Sequence, residues 1–469
     1  MLLSTIYKDE IFINLLPEFN VNPSLSKKPT VSWDELFTEI RFLWDKDDED
    51  DNEAKLENHI KNLDQFLATR EQPPISVVMK YCKSGLFVDM FRSMKTTKYR
   101  SYILNIICQI IKQFPNTHPL FIQRDLSQSF DQFLFSEGIS PSMQIEAPFY
   151  TAKYLKCISK IAKQPFSFFF SPTDKGTYFQ LCVQMILKAF SLEEETMGSI
   201  YHPIIHKTEA KILTIFSRLI PAILSNSTTP PEKNEDIQQI FNIFSTVFEM
   251  KLIDLYSKLI KSLYHIWINS SCQLKSFFLN ESFIIPISAL INEQFQPAQK
   301  DSIRLFSEIS FVEPDILSQI NPVALYDTAN SNFSPVSNNY SEITQNSIRL
   351  LGQFIDFTNA FDPCQIDLNV LFGLCDASIC DMNYAAHESV AFLLFSLMNV
   401  SRLTFFQDET NYKANLIIDA FDTVISQPSK VIGKAINAAS MILSMVESGD
   451  EFAAQFLPTV GDFIDQLKQ

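Results

Sequence analysis

Glycine is nearly missing from this chain: 9 in 469 residues, where ordinary usage of about 7% would supply roughly 33. Neither G-x-G nor G-x-x-x-x-G-K-[ST] occurs, which excludes the loops whose exposed amides cradle nucleotide phosphates. So few glycines also disfavour Rossmann sheets and many-stranded barrels, which need tight turns and close backbone approach. Histidine is scarce as well. With 6 in the chain and no H-E-x-x-H, metalloprotease chemistry lacks its ligands. Long apolar runs are absent too. The longest candidates, residues 283–291 and 390–400, fall short of the ~18 needed to span a bilayer, so no membrane insertion is expected. Lys8, Asp9 and Glu10 interrupt the N-terminal apolar stretch, and a secretory signal needs that centre unbroken. The expected compartment is the cytoplasm, with the nucleus as the alternative.

Apolar side chains are what the chain has in quantity. They make up 46% of residues, 42 of them phenylalanine, far more than a disordered chain carries. Their spacing is helical nearly throughout. Tyr102, Ile103, Ile106, Ile107, Ile110 and Ile111 recur at three- and four-residue steps, which puts them on one face of a helix. Ile212, Ile215, Phe216 and Leu219 repeat the pattern, as do Leu252, Leu255, Leu259 and Leu263, and later Ile436, Met441 and Met445. Few stretches alternate with the two-residue period of a strand, so the fold class is all-α. The 8 cysteines are spread thinly through these stripes. That distribution suits reduced core thiols, whereas a disulfide scaffold is short and cysteine-dense.

The stripes return every 40–60 residues or so, leaving room between them for further amphipathic helices. Such a period marks arrays in which each unit buries its apolar face on its neighbours. Ser84-Gly85-Leu86-Phe87, followed by Met90 and Phe91, resembles the helix–glycine–helix junction of an armadillo repeat. Residues 345–352, ending at Gly352, and residues 431–444 resemble the start of an armadillo third helix. The chain is thus similar to armadillo/HEAT-type helical-repeat proteins. That resemblance implies a right-handed α-solenoid, read here as one run over residues 31–469 behind an N-terminal segment, 1–30. Breaks are expected at residues 16–29, at the acidic stretch 45–51, at 225–236 with Pro230-Pro231, and at the polar stretch 328–341. With three tryptophans, Trp33, Trp44 and Trp267, the Trp/Asn ladder of armadillo nuclear-import adaptors is not visible.

Two clusters invite a metal reading. His202 and His206 lie four apart with Glu209 beyond, a spacing that shares a helix face. Pro203 follows His202, however, so His202 is expected at the helix start and the pair as surface or capping residues. Among Cys364, Cys375, Cys380 and His387 the only near pair is Cys375-x₄-Cys380, within an apolar helical pattern, and the rest are scattered, unlike the usual structural zinc site with its tight C-x₂₋₄-C pairs; the cysteines are read as core thiols. The aromatic run 166–170, between Pro165 and Pro172, is read as packing between helices. No catalytic residue, metal or cofactor is expected.

Charge is segregated. Residues 31–71 hold 13 acids against 5 bases, and residues 356–469 hold 15 against 5. Residues 80–163 reverse the sign, with 12 bases against 5 acids. Lys80, Lys83, Arg92, Lys95, Lys98, Arg100, Lys156, Lys160 and Lys163 form the candidate basic patch. One reading is solvated helix faces; the other is a patch docking an acidic peptide, a protein, or the chain's own 45–51 stretch. Nucleic acid is not expected, because a net charge of −16 repels phosphates. The expected function is a non-enzymatic scaffold or adaptor binding a protein or peptide. The resemblance also implies a nuclear transport receptor or a phosphatase or kinase regulatory subunit. An enzyme with an unrecognised site is the rival of another class.

Overall fold

The computed structural model describes residues 32–46, 50–68, 73–93, 100–122, 130, 133–134, 141–161, 165–173, 176–199, 201–332, 342–362, 365–379, 384–408, 410–426 and 431–468. The 1–30 segment, Lys95, Lys98, Lys163, Cys364, Cys380 and residues 47–49 of the acidic stretch lie outside the described residues. What is described is all-α apart from a two-residue hairpin, Pro172–Thr173 with Gly176–Thr177. Contacts divide the chain into two compact units, Met1–Thr228 and Thr229–Gln469. The division falls in the expected 225–236 connection, where the prolines start a single 3₁₀ turn, Pro231–Lys233.

The first unit contains α1 (Trp33–Asp45), α2 (Asp50–Ala68), α3 (Ile75–Ser84), α4 (Leu86–Arg92) and α5 (Arg100–Gln113). It continues with α6 (His118–Ile122), α7 (Pro141–Ile161), α8 (Pro165–Phe169), α9 (Tyr178–Thr196) and α10 (His202–Asn226). Local sequence explains the boundaries. Ser32 and Glu35 form a reciprocal capping box at the start of α1, satisfying amides that have no intrahelical acceptor. Asp50 and Asp51 fall within α2, so that part of the acidic stretch is helix, not a break. Gly85 ends α3 and begins α4 with φ +81°, a conformation a Cβ would strain. Helices α2, α5, α7 and α10 pair in that order. In α5 the expected stripe is buried almost all round, from Ile103 to Ile111.

The second unit holds α11 (Glu235–Glu249), α12 (Ile253–Phe278), α13 (Glu281–Asn292), α14 (Gln296–Ser310), α15 (Pro322–Ser331) and α16 (Glu342–Thr358). After these come α17 (Leu368–Ile379), α18 (Tyr384–Ser401), α19 (Tyr412–Ser426), α20 (Ile432–Glu447), α21 (Glu451–Ala454) and α22 (Leu457–Leu467). Successive hairpins α11/α12, α13/α14, α15/α16, α17/α18 and α19/α20 each pair internally. First helices pair with first helices (α11, α13, α15, α17, α19, α22), and second with second (α12, α14, α16, α18, α20). Two stretches differ from expectation. Thr328, assigned to a polar loop, is buried in α15, donating to Ala324 O and accepting from Gln299. On α20 the buried face is Ala435, Ala438, Ala439 and Ile442, while Ile436 is exposed.

Hydrogen bonds between neighbouring helices keep a narrow sequence offset. In the first unit Lys80 donates to Asp34 across 46 residues, Asn105 to Asp64 across 41, and Lys153 to Asn105 across 48. In the second, Ser257 donates to Asp301 across 44, Ser307 to Gln353 across 46, and Arg349 to Glu308 across 41. Longer steps also occur: Arg218 to Ser159, between the paired α10 and α7, spans 59, and Lys434 to Asp356, from α20 past α18 to α16, spans 78, about two periods.

Candidate functional site

The basic patch is divided among several elements. Lys80 and Lys83 lie on α3, which pairs with α1, α4 and α6; Lys156 and Lys160 lie on α7, which pairs with α5 and α10. Lys80 is exposed, but its Nζ meets Asp34 at 3.2 Å and lies 5.0 Å from the Tyr81 ring centre. Lys83 and Lys160 are exposed, and Arg92 and Lys156 half-buried. Arg100 is a correction. Only 3% exposed, it donates through Nη2 to the carbonyls of Arg92 at 3.1 Å and Ser93 at 3.2 Å. It closes the C-terminal end of α4 and does not face solvent, because those carbonyls have no intrahelical donor.

A second group of titratable side chains gathers where α9 meets α10. His202 opens α10 one residue after its cap, Tyr201, with Pro203 in the first turn, as the histidine–proline order implies. The imidazoles are not surface groups, however: their side chains are 22% and 16% exposed, and both face Glu193 of α9, which is 4% exposed. His202 Nε2 lies 3.0 Å from Glu193 Oε2, and His206 Nδ1 3.1 Å from Glu193 Oε1. Glu209, fully buried, brings Oε2 to 3.2 Å from His206 Nδ1. The two imidazoles meet edge to face, 4.2 Å between centres. Burial, then the neighbouring Glu209 carboxyl, raises the pKa of Glu193, and burial raises that of Glu209, since a dry site penalises the charged form. Among the described residues, Glu193, His202 and His206 are the three whose ligand atoms lie within 4.8 Å of one another.

Sequence reasoning missed Glu193 because it belongs to another helix. Two signals pointed to it. Residues 193–195 are three consecutive glutamates in the last turn of α9, where the negative end of the helix disfavours acids. Glu209 also interrupts the apolar face formed by Ile205, Ile212 and Phe216. A small surface groove is lined by Met185 and Leu192 of α9, Ile205 and Thr208 of α10, and Pro148 of α7, without any of the four cluster residues.

The other candidates are structural. Cys82, Cys108, Cys157, Cys182 and Cys375 are buried free thiols, and burial pushes Cys375 up to about 12, far from the thiolate a metal binds. Phe166 stacks on Phe170 and Phe168 on Tyr178, each at 4.6 Å, so the 166–170 run is packing.

No protein-family model matches the sequence, and no curated protein matches it. Among solved structures the chain is similar to SYS-1, with a TM-score of 0.57 and 11% identity over 91% of this chain and 80% of that one. It is also similar to an engineered structural-genomics protein, with a TM-score of 0.48 and 10% identity over 92% of this chain and 99% of that one. The SYS-1 likeness speaks to fold alone, and with the all-helical architecture it fits a helical-repeat protein.

Proposed function

We propose that this chain is a non-enzymatic interaction scaffold, built as right-handed armadillo/HEAT-like solenoid repeats whose surface binds a protein or peptide. The observation that carries this reading is the recurrence of inter-helix hydrogen bonds at offsets of 41 to 48 residues. Each helix pair meets its neighbour one period away in sequence, which is how an array buries faces that a lone unit would expose. Arrays of this kind offer extended surfaces with side chains repeated at fixed intervals, suited to long partners.

The partner proposed is acidic. Lys83 and Lys160 are exposed and Lys156 half-buried within the one stretch of net positive charge. Cytoplasm or nucleus is the proposed setting; among the described residues no helix is long and apolar enough to cross a membrane. A labelled glutamate-rich peptide titrated with the full chain tests this. Binding should weaken with salt and fall at least tenfold in a K83E/K156E/K160E variant, while a neutral peptide of equal length binds neither protein. Equal affinity for the acidic and neutral peptides, or no effect of the triple reversal, refutes the acidic-partner reading.

A further inference from the structure

Two buried carboxyl groups and two imidazoles converge at the α9–α10 junction, and the scaffold role uses none of them. We propose that Glu193, His202 and His206 bind one Zn²⁺ ion, with Glu209 packed against His206 beside them.

Geometry is the first argument. The i, i+4 spacing sets both imidazoles on one face of α10, one turn apart. Glu193 reaches them from the last turn of α9 with one oxygen on each ring, at 3.0 and 3.1 Å. Donors around a tetrahedral zinc stand roughly 3.3–3.4 Å apart, given Zn–N and Zn–O bonds of about 2.0–2.1 Å. The two glutamate–imidazole separations need to widen by only a few tenths of an ångström, and all three ligand atoms already lie within 4.8 Å of one another.

Burial is the second. Glu209 is fully buried, yet its Oε1 has no hydrogen-bond partner, its Oε2 being the oxygen that meets His206. Buried polar atoms are almost always satisfied, and two carboxyl groups in contact must either share a proton or have positive charge beside them. A divalent cation neutralises both acids at once. The positive end of α10 opposes it with the equivalent of about half a charge, against two full carboxylates in contact.

Donor chemistry selects the ion. Two imidazole nitrogens with one carboxylate suit zinc, a water completing the tetrahedron, whereas calcium and magnesium take shells of oxygen and water. Partial exposure of both histidines gives the ion a path in. Once bound, zinc ties the end of α9 to the start of α10 across the short turn between them, an added staple for the first unit.

The test uses the full chain, purified without a histidine tag and stripped with chelator. Competition against a chromogenic zinc chelator should show one equivalent bound with submicromolar affinity. Cobalt(II) should give the intense visible absorption of a four-coordinate site, and zinc should raise the thermal midpoint. H206Q and E193Q should weaken zinc binding about 100-fold or more, since even partners outside the coordination shell alter affinity 10–100-fold. H202Q replaces the more exposed ring and serves as the variant that retains the fold. H265Q, at an exposed histidine of α12, should bind as the parent does. No zinc bound at one equivalent overturns the proposal. So does binding that survives H202Q and H206Q with circular dichroism unchanged, or that H265Q abolishes equally.

Discussion

Gly352 on α16 provides a test in which helix propensity and packing predict opposite signs. An alanine in place of a mid-helix glycine ordinarily stabilises by about 0.8–1.0 kcal/mol, because glycine loses more backbone freedom on folding. At Gly352, however, an added Cβ would stand 2.7 Å from Phe392 Cδ1 and 3.1 Å from Leu393 Cα on the paired helix α18. Carbon atoms pack comfortably at about 3.5–4.0 Å. The Phe392 ring has only the small, solvent-open groove that it lines with Phe311, Arg349 and Val431 to turn toward. Doing so gives up its position under the Lys434 ammonium, 4.6 Å from the ring centre. Leu393 Cα is backbone and yields only if α18 moves. Overpacking of this kind costs about 1–3 kcal/mol, and the immovable Leu393 backbone puts Gly352 toward the upper end, so G352A should be destabilising by up to about 2 kcal/mol after the helix gain is subtracted. Gly373, on an exposed face of α17 with nothing within 4 Å of its added Cβ, is the control. G373A should stabilise by up to about 1 kcal/mol. In a unit of this size each kcal/mol moves the thermal midpoint by roughly 2–4 °C, so the two substitutions should shift it in opposite directions. Urea titration checks the same quantity, with the slope unchanged if only stability has altered. A G352A protein as stable as G373A would refute the close α16–α18 packing.

Arg100 should behave as a structural residue. R100A strands two helix-end carbonyls, for a loss of about 2–3 kcal/mol in urea titration, and R100K should recover only part of it, because a lysine lacks the planar fork. His118 should make the first unit acid-sensitive. Burial lowers its pKa from 6.5 to about 4, and its buried Nε2 has no partner. The unfolded chain therefore binds the proton more readily than the folded one. Stability is full above pH 6.5 and falls by up to about 3 kcal/mol as the pH drops through 4. H118L should flatten that limb in thermal melts between pH 7 and 4; an unchanged slope would assign the acid sensitivity to other groups.

The helical class was legible because its signal is local: a stripe such as Ile103–Ile111 needs only its own helix to be recognised, and its residues are buried as expected. Gly85 was legible for the same reason, since a left-handed junction restricts residue type at one position. Reading failed where burial leaves no hydrophobic mark. On α20, Ala435, Ala438 and Ala439 take the buried face, and alanine carries too little apolar area to outweigh Ile436 in a pattern count. Arg100 failed for a related reason. Its charge counts toward a patch in sequence, while its position at the end of α4 turns the same guanidinium inward.

Polar residues inside apolar stripes hold information that periodicity discards. Asp64, Gln299, Gln353 and Glu209 all interrupt buried faces. Asp64 accepts from Asn105 across 41 residues, Gln353 from Ser307 across 46, and Gln299 donates to Thr328 across 29. In these three the partner is a complementary dipole on a neighbouring helix, as low-dielectric burial requires. Glu209 differs in kind. Beyond the His206 ring it faces a second buried carboxyl, that of Glu193, and two acids cannot satisfy each other as a donor and acceptor pair unless one holds a proton. The others serve to set neighbouring helices in register. Glu209 is the position that register alone does not explain: it packs a second buried acid beside Glu193, which is where the proposed Zn²⁺ is to be tested.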